Sequence, residues 1–488
     1  MHLNQSNLKS ISQTTHIPSY DRSEIKSGIV HMSVGGFHRS HQAVYFDDIL
    51  SSGSKEWGIC GVGLMSGDRE NISKLQSQDN LYTVLERNAE YDSARVIGSI
   101  IETIHAPSFP EKVIKKLVDD DIKIVSLTIT EKGYFSDNDN NLDKENDLIN
   151  YDLQNLTSPK TAYGYLLSAL KTRRENGQKP FTIMSCDNLP GNGHLTQKLM
   201  LQFAEMFDQE LANWIKENVS FPNSMVDRIT PVTTDEIINT LKGKFGVEDS
   251  WPVVCEDYIQ WVLEDNFCNG RPAFEEFGVQ IVSDVDPYEK MKVRLLNGSH
   301  SALAYLSYLM GYRKVDQAMA DPLIKKFVRS YMDHDITPTV PEVPGINLDE
   351  YKAKLIERFS NSAISDQVQR LAEDGSKKIP NAILPCIESQ LEIGGSTKFA
   401  VLALAAWFRY LTAVDEDQNP IEIQDPLKEK LISCAKLDTE TPIHLLGIEE
   451  IFGTSLPLND NFVKDLILFM SKIKINGVEK SLEEVLSH

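Results

Sequence analysis

The hydrophobic period of this chain changes near residue 285, and that change constrains the fold more than any other feature. Before it, short apolar runs alternate with stretches of helical spacing; after it, strand-like alternation nearly vanishes. Residues 122–130 (IKIVSLTIT) are rich in β-branched side chains and predict a buried strand. Residues 29–34 (IVHMSV), 57–64 (WGICGVGL), 81–86, 94–101 and 181–185 (FTIMS) read as further strands, and residues 37–50, 109–118 and 160–176 as helices. Strands and helices in alternation imply a parallel sheet covered on both faces. Residues 292–312, 322–333, 348–359, 365–374, 398–413 and 460–473 all read as helices. The expected class is α/β: an N-terminal domain over residues 1–285, then a mostly α-helical domain over residues 286–488. The segment VSDVDPYE (282–289) is the expected join.

Charge narrows the function. The 488 residues include 71 Asp and Glu against 49 Lys and Arg, a formal charge of −22. Such a surface argues against nucleic acid, whose phosphates need a basic face, and against anionic membranes. The longest apolar run, residues 399–408, is about half the ~20 residues a membrane span needs, so it reads as a buried helix. The first 20 residues are polar and lack the apolar core of a signal peptide. Cys60, Cys186, Cys255, Cys268, Cys386 and Cys434 form neither a CxxC pair nor a zinc cage. They are expected to be reduced thiols in a cytoplasmic protein without a bound metal.

The stretch Val30, His31, Met32, Ser33, Val34, Gly35, Gly36, Phe37, His38, Arg39, Ser40, His41 runs from the first strand through a turn into a helix. A dinucleotide pyrophosphate binds at such a junction, against free N–H groups and a helix dipole. The usual G-x-G-x-x-G would put glycine at 33, 35 and 38, and only Gly35 is present. On this motif alone an ordinary tight turn explains the sequence equally well. The second strand ends in GLMSGDR (63–69), where Asp68, beside Arg69, stands in the place of an acid that accepts adenosine ribose hydroxyls. Asp68 also suits a helix cap, and the two roles can coexist.

Lys292, Asn297 and His300 open the second half. On a regular helix Asn297 lies about 140° and His300 about 80° around from Lys292, spread over about 12 Å of axis. One side of a helix then offers a base, an amide donor and an imidazole to one small molecule. A solvated lysine with a core Asn and His is the bland alternative, but the apolar residues that follow point to a buried helix, where an idle lysine is uncommon.

With these residues the sequence resembles the mannitol dehydrogenase family of polyol-specific long-chain dehydrogenases, over nearly its whole length. The matching stretches include GGFHRSHQAVY (35–45), SLTITEKGY (126–134), MSCDNLPGNG (184–193), VDRITP (226–231), WPVVCEDYIQWVLED (251–265) and LLNGSH (295–300). The resemblance implies a Rossmann-like NAD-binding domain before a helical substrate-binding domain, in a zinc-independent monomer. It implies NAD, with NADP a weaker alternative, and a small polyol or ketose, interconverting D-mannitol and D-fructose by hydride transfer at C2. It implies Lys292 as general base, Asn188 and Asn297 as the oxyanion site, and His300 orienting substrate. Asp227, Arg370 and Lys378 would contact hydroxyls, and Glu289 would relay a proton. Simpler readings are an Asp227–Arg228 ion pair and a solvated face for Arg370 and Lys378. Two departures from the family pattern are Ser33, where glycine is usual, and Gly67-Asp68, where NAD-preferring members often carry Glu-Asp. Arabinitol or sorbitol oxidation and fructuronate reduction are the nearest rivals, the last because Arg370 or Lys378 could hold a carboxylate. A catalytically idle nucleotide-binding regulator is disfavoured by the intact lysine, asparagine and histidine.

Overall fold

A computed structural model describes residues 1–137 and 139–487, which divide after Asp286 into two compact units. The first unit is built on a five-stranded parallel sheet of order β5-β2-β1-β6-β7. Its strands are β1 Ser27–Met32, β2 Gly58–Gly63, β5 Ile100–His105, β6 Ile124–Leu127 and β7 Thr182–Ser185. The two-residue side-chain period sends Val30, Met32, Val62, Val125 and Leu127 into one core cluster. It sends Ile29, Ile59, Ile124 and Met184 into the other. Helices Pro110–Val118 and Ala162–Glu175 supply the first cluster, and Gln42–Ser51 the second. Both faces are covered, as the near-continuous apolar runs require.

This order places β1 beside β6 while the chain leaves them toward opposite edges. Ligands of open α/β sheets bind at such a switch point, outside the carboxyl ends of the strands. Here those ends are Met32–Ser33 and Leu127–Thr128.

Three sequence expectations need correction. Residues 94–101 are not one strand: β4, Asp92–Ile97, pairs antiparallel with β3, Tyr82–Arg87, while β5 joins the main sheet. The chain changes sheets at Gly98, whose N–H bonds Asp47 at 2.8 Å and where a Cβ would lie 2.7 Å from Pro18. Residues 37–50 form two helices, α1 Gly36–Ser40 and α2 Gln42–Ser51, divided at His41 (φ −119°, ψ −91°). Four later strands, β8 Ser224–Asp227, β9 Val253–Glu256, β10 Gln260–Glu264 and β11 Gln280–Val282, complete two small sheets, β11-β10-β8 and β4-β3-β9. Each is too short to display a period.

Among the described residues the second unit has helices and no strand. Helix α3, Asp286–Lys292, crosses into it and runs through a π-helical turn, Val293–Asn297, into α4, Gly298–Leu309. Further helices are α5 Leu348–Phe359, α6 Val368–Ala372, α7 Gly375–Ala382, α8 Lys398–Tyr410 and the pair α9, Asp460–Ser487, broken at Gly477 (φ 79°). Helix α8 contains the long apolar run and packs against α4 and α9. It is buried nearly all round, which accounts for its apolar composition. No helix among the described residues is long and apolar enough to cross a membrane.

Candidate active site

The turn after β1 holds Ser33 at φ 75°, a left-handed conformation that glycine adopts at no cost. Two bonds hold it there: its N–H donates to Val62 O at 2.8 Å, and its carbonyl accepts from Thr128 Oγ1 at 3.0 Å. Thr128 in turn lies 2.9 Å from His31 Nε2, and His31 Nδ1 lies 2.8 Å from Ser126 Oγ. The Thr128 hydroxyl has one proton, given to Ser33, so His31 must donate through Nε2–H. Burial drives the His31 pKa down to about 3, so the ring is neutral, and His38 stacks on it at 3.3 Å.

Most of the residues predicted to touch a cofactor have buried side chains. Val30, Met32, His31, His38, Arg39, Ser40 and His41 are at most 2% exposed, and Val34 is also buried. Arg39 stacks on Trp251 at 3.6 Å and donates to Gly35 O at 3.3 Å. Ser40 bonds Thr230, and His41 bonds Gln260 O. Ser33, Gly35, Gly36 and Phe37 remain partly accessible. A Cβ on Gly35 would meet only Ser33 O, at 3.9 Å, so the space over this backbone is open for a phosphate to approach. That geometry fits a dinucleotide.

Asp68 is half-buried beyond β2 and accepts the Met65 N–H on Oδ2 at 2.8 Å. This is a capping contact for the turn before helix Arg69–Ser77, and it leaves Oδ1 for another donor. Arg69 is exposed and lines a groove of about 560 Å³ with Ser66, Gly67, Glu70, Ser73 and Lys74.

Asn188 is exposed just past β7. Its neighbour Asp187, which the sequence reading overlooked, is buried. The Asp187 carboxylate accepts the N–H groups of Ile129 at 2.9 Å and Thr130 at 2.8 Å and the Tyr134 hydroxyl at 2.9 Å. Burial pushes its pKa up, although these donors oppose the shift. It ties the ends of β6 and β7 together and holds Thr130 at φ 60°. Asp227 is buried at the end of β8, opposite Gln260 of β10. Its neighbour Arg228 donates to Glu86 at 2.5 Å and to the carbonyls of Ser40 and Glu256.

In the second unit Lys292 closes α3 rather than opening a helix, and it is buried. The π turn that follows inserts one residue into the α pattern. Counted without that residue, Asn297 moves to about 40° and His300 to about −20° from Lys292. The three then share an arc of about 60°, narrower than a regular helix would give. Glu289 lies three residues before Lys292 on the same face. The His300 ring packs on Phe359 of α5, 4.3 Å between centroids.

Arg370, in α6, is exposed and forks onto Asp366, with Nε 2.7 Å from Oδ1 and Nη2 on Oδ2. Lys378, in α7, donates to the carbonyls of Arg370 and Leu371, each at 3.2 Å. Asp366 was not singled out from sequence, although its i, i+4 spacing to Arg370 is a legible signal. Among the described residues no three His, Cys, Asp or Glu side chains are disposed to hold a metal ion.

A family profile for the mannitol dehydrogenase Rossmann domain matches residues 27–276, and one for the mannitol dehydrogenase C-terminal domain matches residues 284–474. The chain belongs to the mannitol dehydrogenase family. A mannitol 2-dehydrogenase of Neosartorya fischeri is 44% identical over 98% of both chains. Among solved structures, the Pseudomonas fluorescens mannitol 2-dehydrogenase in ternary complex with NAD and D-mannitol is similar at TM-score 0.90, with 46% identity over the full length of both chains. A substrate-free D-sorbitol dehydrogenase is similar at TM-score 0.92 and 36% identity, over 99% of this chain and 100% of that one.

Proposed function

We propose that this protein is an NAD-dependent mannitol 2-dehydrogenase that interconverts D-mannitol and D-fructose. The observation that carries the reading is a buried lysine aligned by a π turn with Asn297 and His300, in a member of this family. When bound, the nicotinamide accepts or gives the hydride of C2. Lys292 takes the proton of the C2 hydroxyl in oxidation and returns it in reduction. The Asn188 and Asn297 amides donate to the oxygen as it passes between alkoxide and carbonyl. His300 orients the substrate, Asp227, Arg370 and Lys378 bind its other hydroxyls, and Glu289 passes the proton of Lys292 onward. Residues 1–285 bind the dinucleotide through the accessible backbone from Ser33 to Phe37, with Asp68 and Arg69 at the ribose. Residues 286–488 carry the substrate and the base. The enzyme works without zinc, since the lysine takes the role a metal-bound water would have. It acts as a cytoplasmic monomer.

The test is NADH oxidation with D-fructose, xylulose, sorbose and D-fructuronate, before and after dialysis against a chelator. Fructose should be the preferred substrate and the chelator without effect. Preference for another ketose by tenfold or more would reassign the substrate, and activity restored only by added zinc would overturn the mechanism.

A further inference from the structure

Resting on that reading, we propose that Asp366 is the residue that denies the substrate site to carboxylate-bearing sugars, by occupying the fork of Arg370. A ketohexuronate such as D-fructuronate differs from D-fructose in carrying a carboxylate at the end of the chain away from the ketone. Recognition of that group needs a cation with paired donors, and an arginine fork is the best such partner. Arg370 has its Nε and Nη2 edge already closed by the two Asp366 oxygens. Lys378 is similarly committed, with two carbonyls of the α6 end on its ammonium.

The surrounding charge acts in the same direction. Arg370 and Lys378 feel the carboxylates of Asp366 and Glu373, and Lys378 also that of Asp374. Around these two side chains, two cations therefore face three acids, which lowers their pull on a further carboxylate. Asp366 itself stays ionised. Burial would raise its pKa, but the Arg370 bond and charge, with His300 nearby, hold it below the usual carboxylate range. What remains for substrate is the end-on Nη1–Nη2 pair of Arg370, beside the Asp366 charge, and the third Lys378 proton. With the Asp366 carboxylate already on the guanidinium, these donors suit neutral hydroxyls better than a second carboxylate.

Reducing either ketone moves one hydride, two electrons and one hydrogen, from NADH to carbon, and one proton from Lys292 to oxygen. The distal carboxylate takes no part, so it affects recognition alone. The experiment compares kcat/KM for D-fructose and D-fructuronate in the wild type, Asp366→Asn and Asp366→Glu, with Asp366→Ser replacing Asn if that variant misfolds. Thermal shift with D-mannonate reads binding independently of turnover. Asp366→Asn should raise the fructuronate-to-fructose ratio about tenfold or more, chiefly through the KM for fructuronate. It should also gain a shift with D-mannonate that the wild type lacks, while Asp366→Glu keeps the wild-type ratio. A wild type that reduces both sugars equally well, or an Asn variant that loses both activities in proportion, would overturn the inference. Arg370→Ala separates the two levels. An unchanged fructose KM in that variant refutes the placement of Arg370 in the substrate site; a raised one, with the Asp366→Asn ratio unmoved, refutes the role of Asp366 alone.

Discussion

Asp68 stands directly against Gly63: a methyl group on Gly63 would lie 2.9 Å from the Asp68 Cβ and 2.9 Å from Ile72 Cγ1. The glycine that ends β2 is there for close approach. It lets the turn carrying Asp68, and the helix Arg69–Ser77 after it, settle onto the strand end. The position of the proposed ribose reader is thus fixed from below by an absent side chain and from the side by its own bond to Met65 N–H.

Cofactor preference should follow the charge of Asp68. A carboxylate facing the 2′-phosphate of NADP, with two ribose bonds lost, should cost about 2–4 kcal/mol. That is about 30- to 1,000-fold in kcat/KM in favour of NAD. Gly67, where a second carboxylate is missing, places this chain toward the lower figure. Asp68→Asn keeps an oxygen for the Met65 cap while removing the charge, so NADPH use should rise with the fold intact. Gly63→Ala should weaken NADH binding with Asp68 still present. The measurements are kcat/KM for both cofactors, and an unmoved ratio in Asp68→Asn would make this residue a cap only.

Lys292→Ala should lower kcat by at least the 10²–10⁴-fold typical of general-base catalysis. NADH affinity, read by fluorescence titration, should change little, because the proposed cofactor residues lie in the other unit. Near-normal fructose reduction by the variant would remove Lys292 from the chemistry.

Ser33→Gly should stabilise the protein by about 1 kcal/mol, because serine at φ 75° carries a steric cost that glycine does not. The bonds that hold the turn use backbone atoms of residue 33, so they survive the change. The KM for NADH should stay within about threefold of wild type, since the phosphate-facing backbone is unaltered. Loss of stability on this substitution would mean that the serine side chain itself holds the turn.

The alternation of strand and helix made most of the central sheet legible because β1, β2, β6 and β7 are buried on both faces and read as short apolar runs; β5, IIETIH at the sheet edge, carries Glu102 and is only partly buried, so its bounds were not legible. The small sheets were not legible, because SMVD, VVCE and QIV are too short to show a period. Lys292, Asn297 and His300 could be singled out as chemistry, but their relative angles could not. A π turn leaves no signature in composition, and it moved two of the three by about 100°. The stretch from Val30 to His41 was legible as a strand–turn–helix junction, but not the burial of its histidines and Arg39, whose partners, Trp251, Gln260 and Thr128, are distant in sequence.

The pH dependence of stability should carry the mark of Asp335. This carboxylate is fully buried and sits at the start of α8, accepting the Ala400 N–H at 2.7 Å and the Ser396 hydroxyl at 3.2 Å. Burial outweighs these donors and pushes its pKa up to about 7. In the unfolded chain an aspartate titrates near 3.9. Between about pH 4 and pH 7 the folded protein therefore holds a proton that the unfolded chain has released, and stability falls as pH rises through that window. Above about pH 7 both states are ionised and the loss is complete. Asp335→Asn mimics the protonated group: its oxygen can accept from Ala400, and its amide can donate to Ser396 Oγ. The variant should gain on the wild type progressively from pH 4 to pH 7, by an amount of order 2–4 kcal/mol, and hold that margin to pH 8. Urea unfolding of both proteins at several pH values measures the margin, and one that is constant across the range would show that Asp335 is ionised throughout.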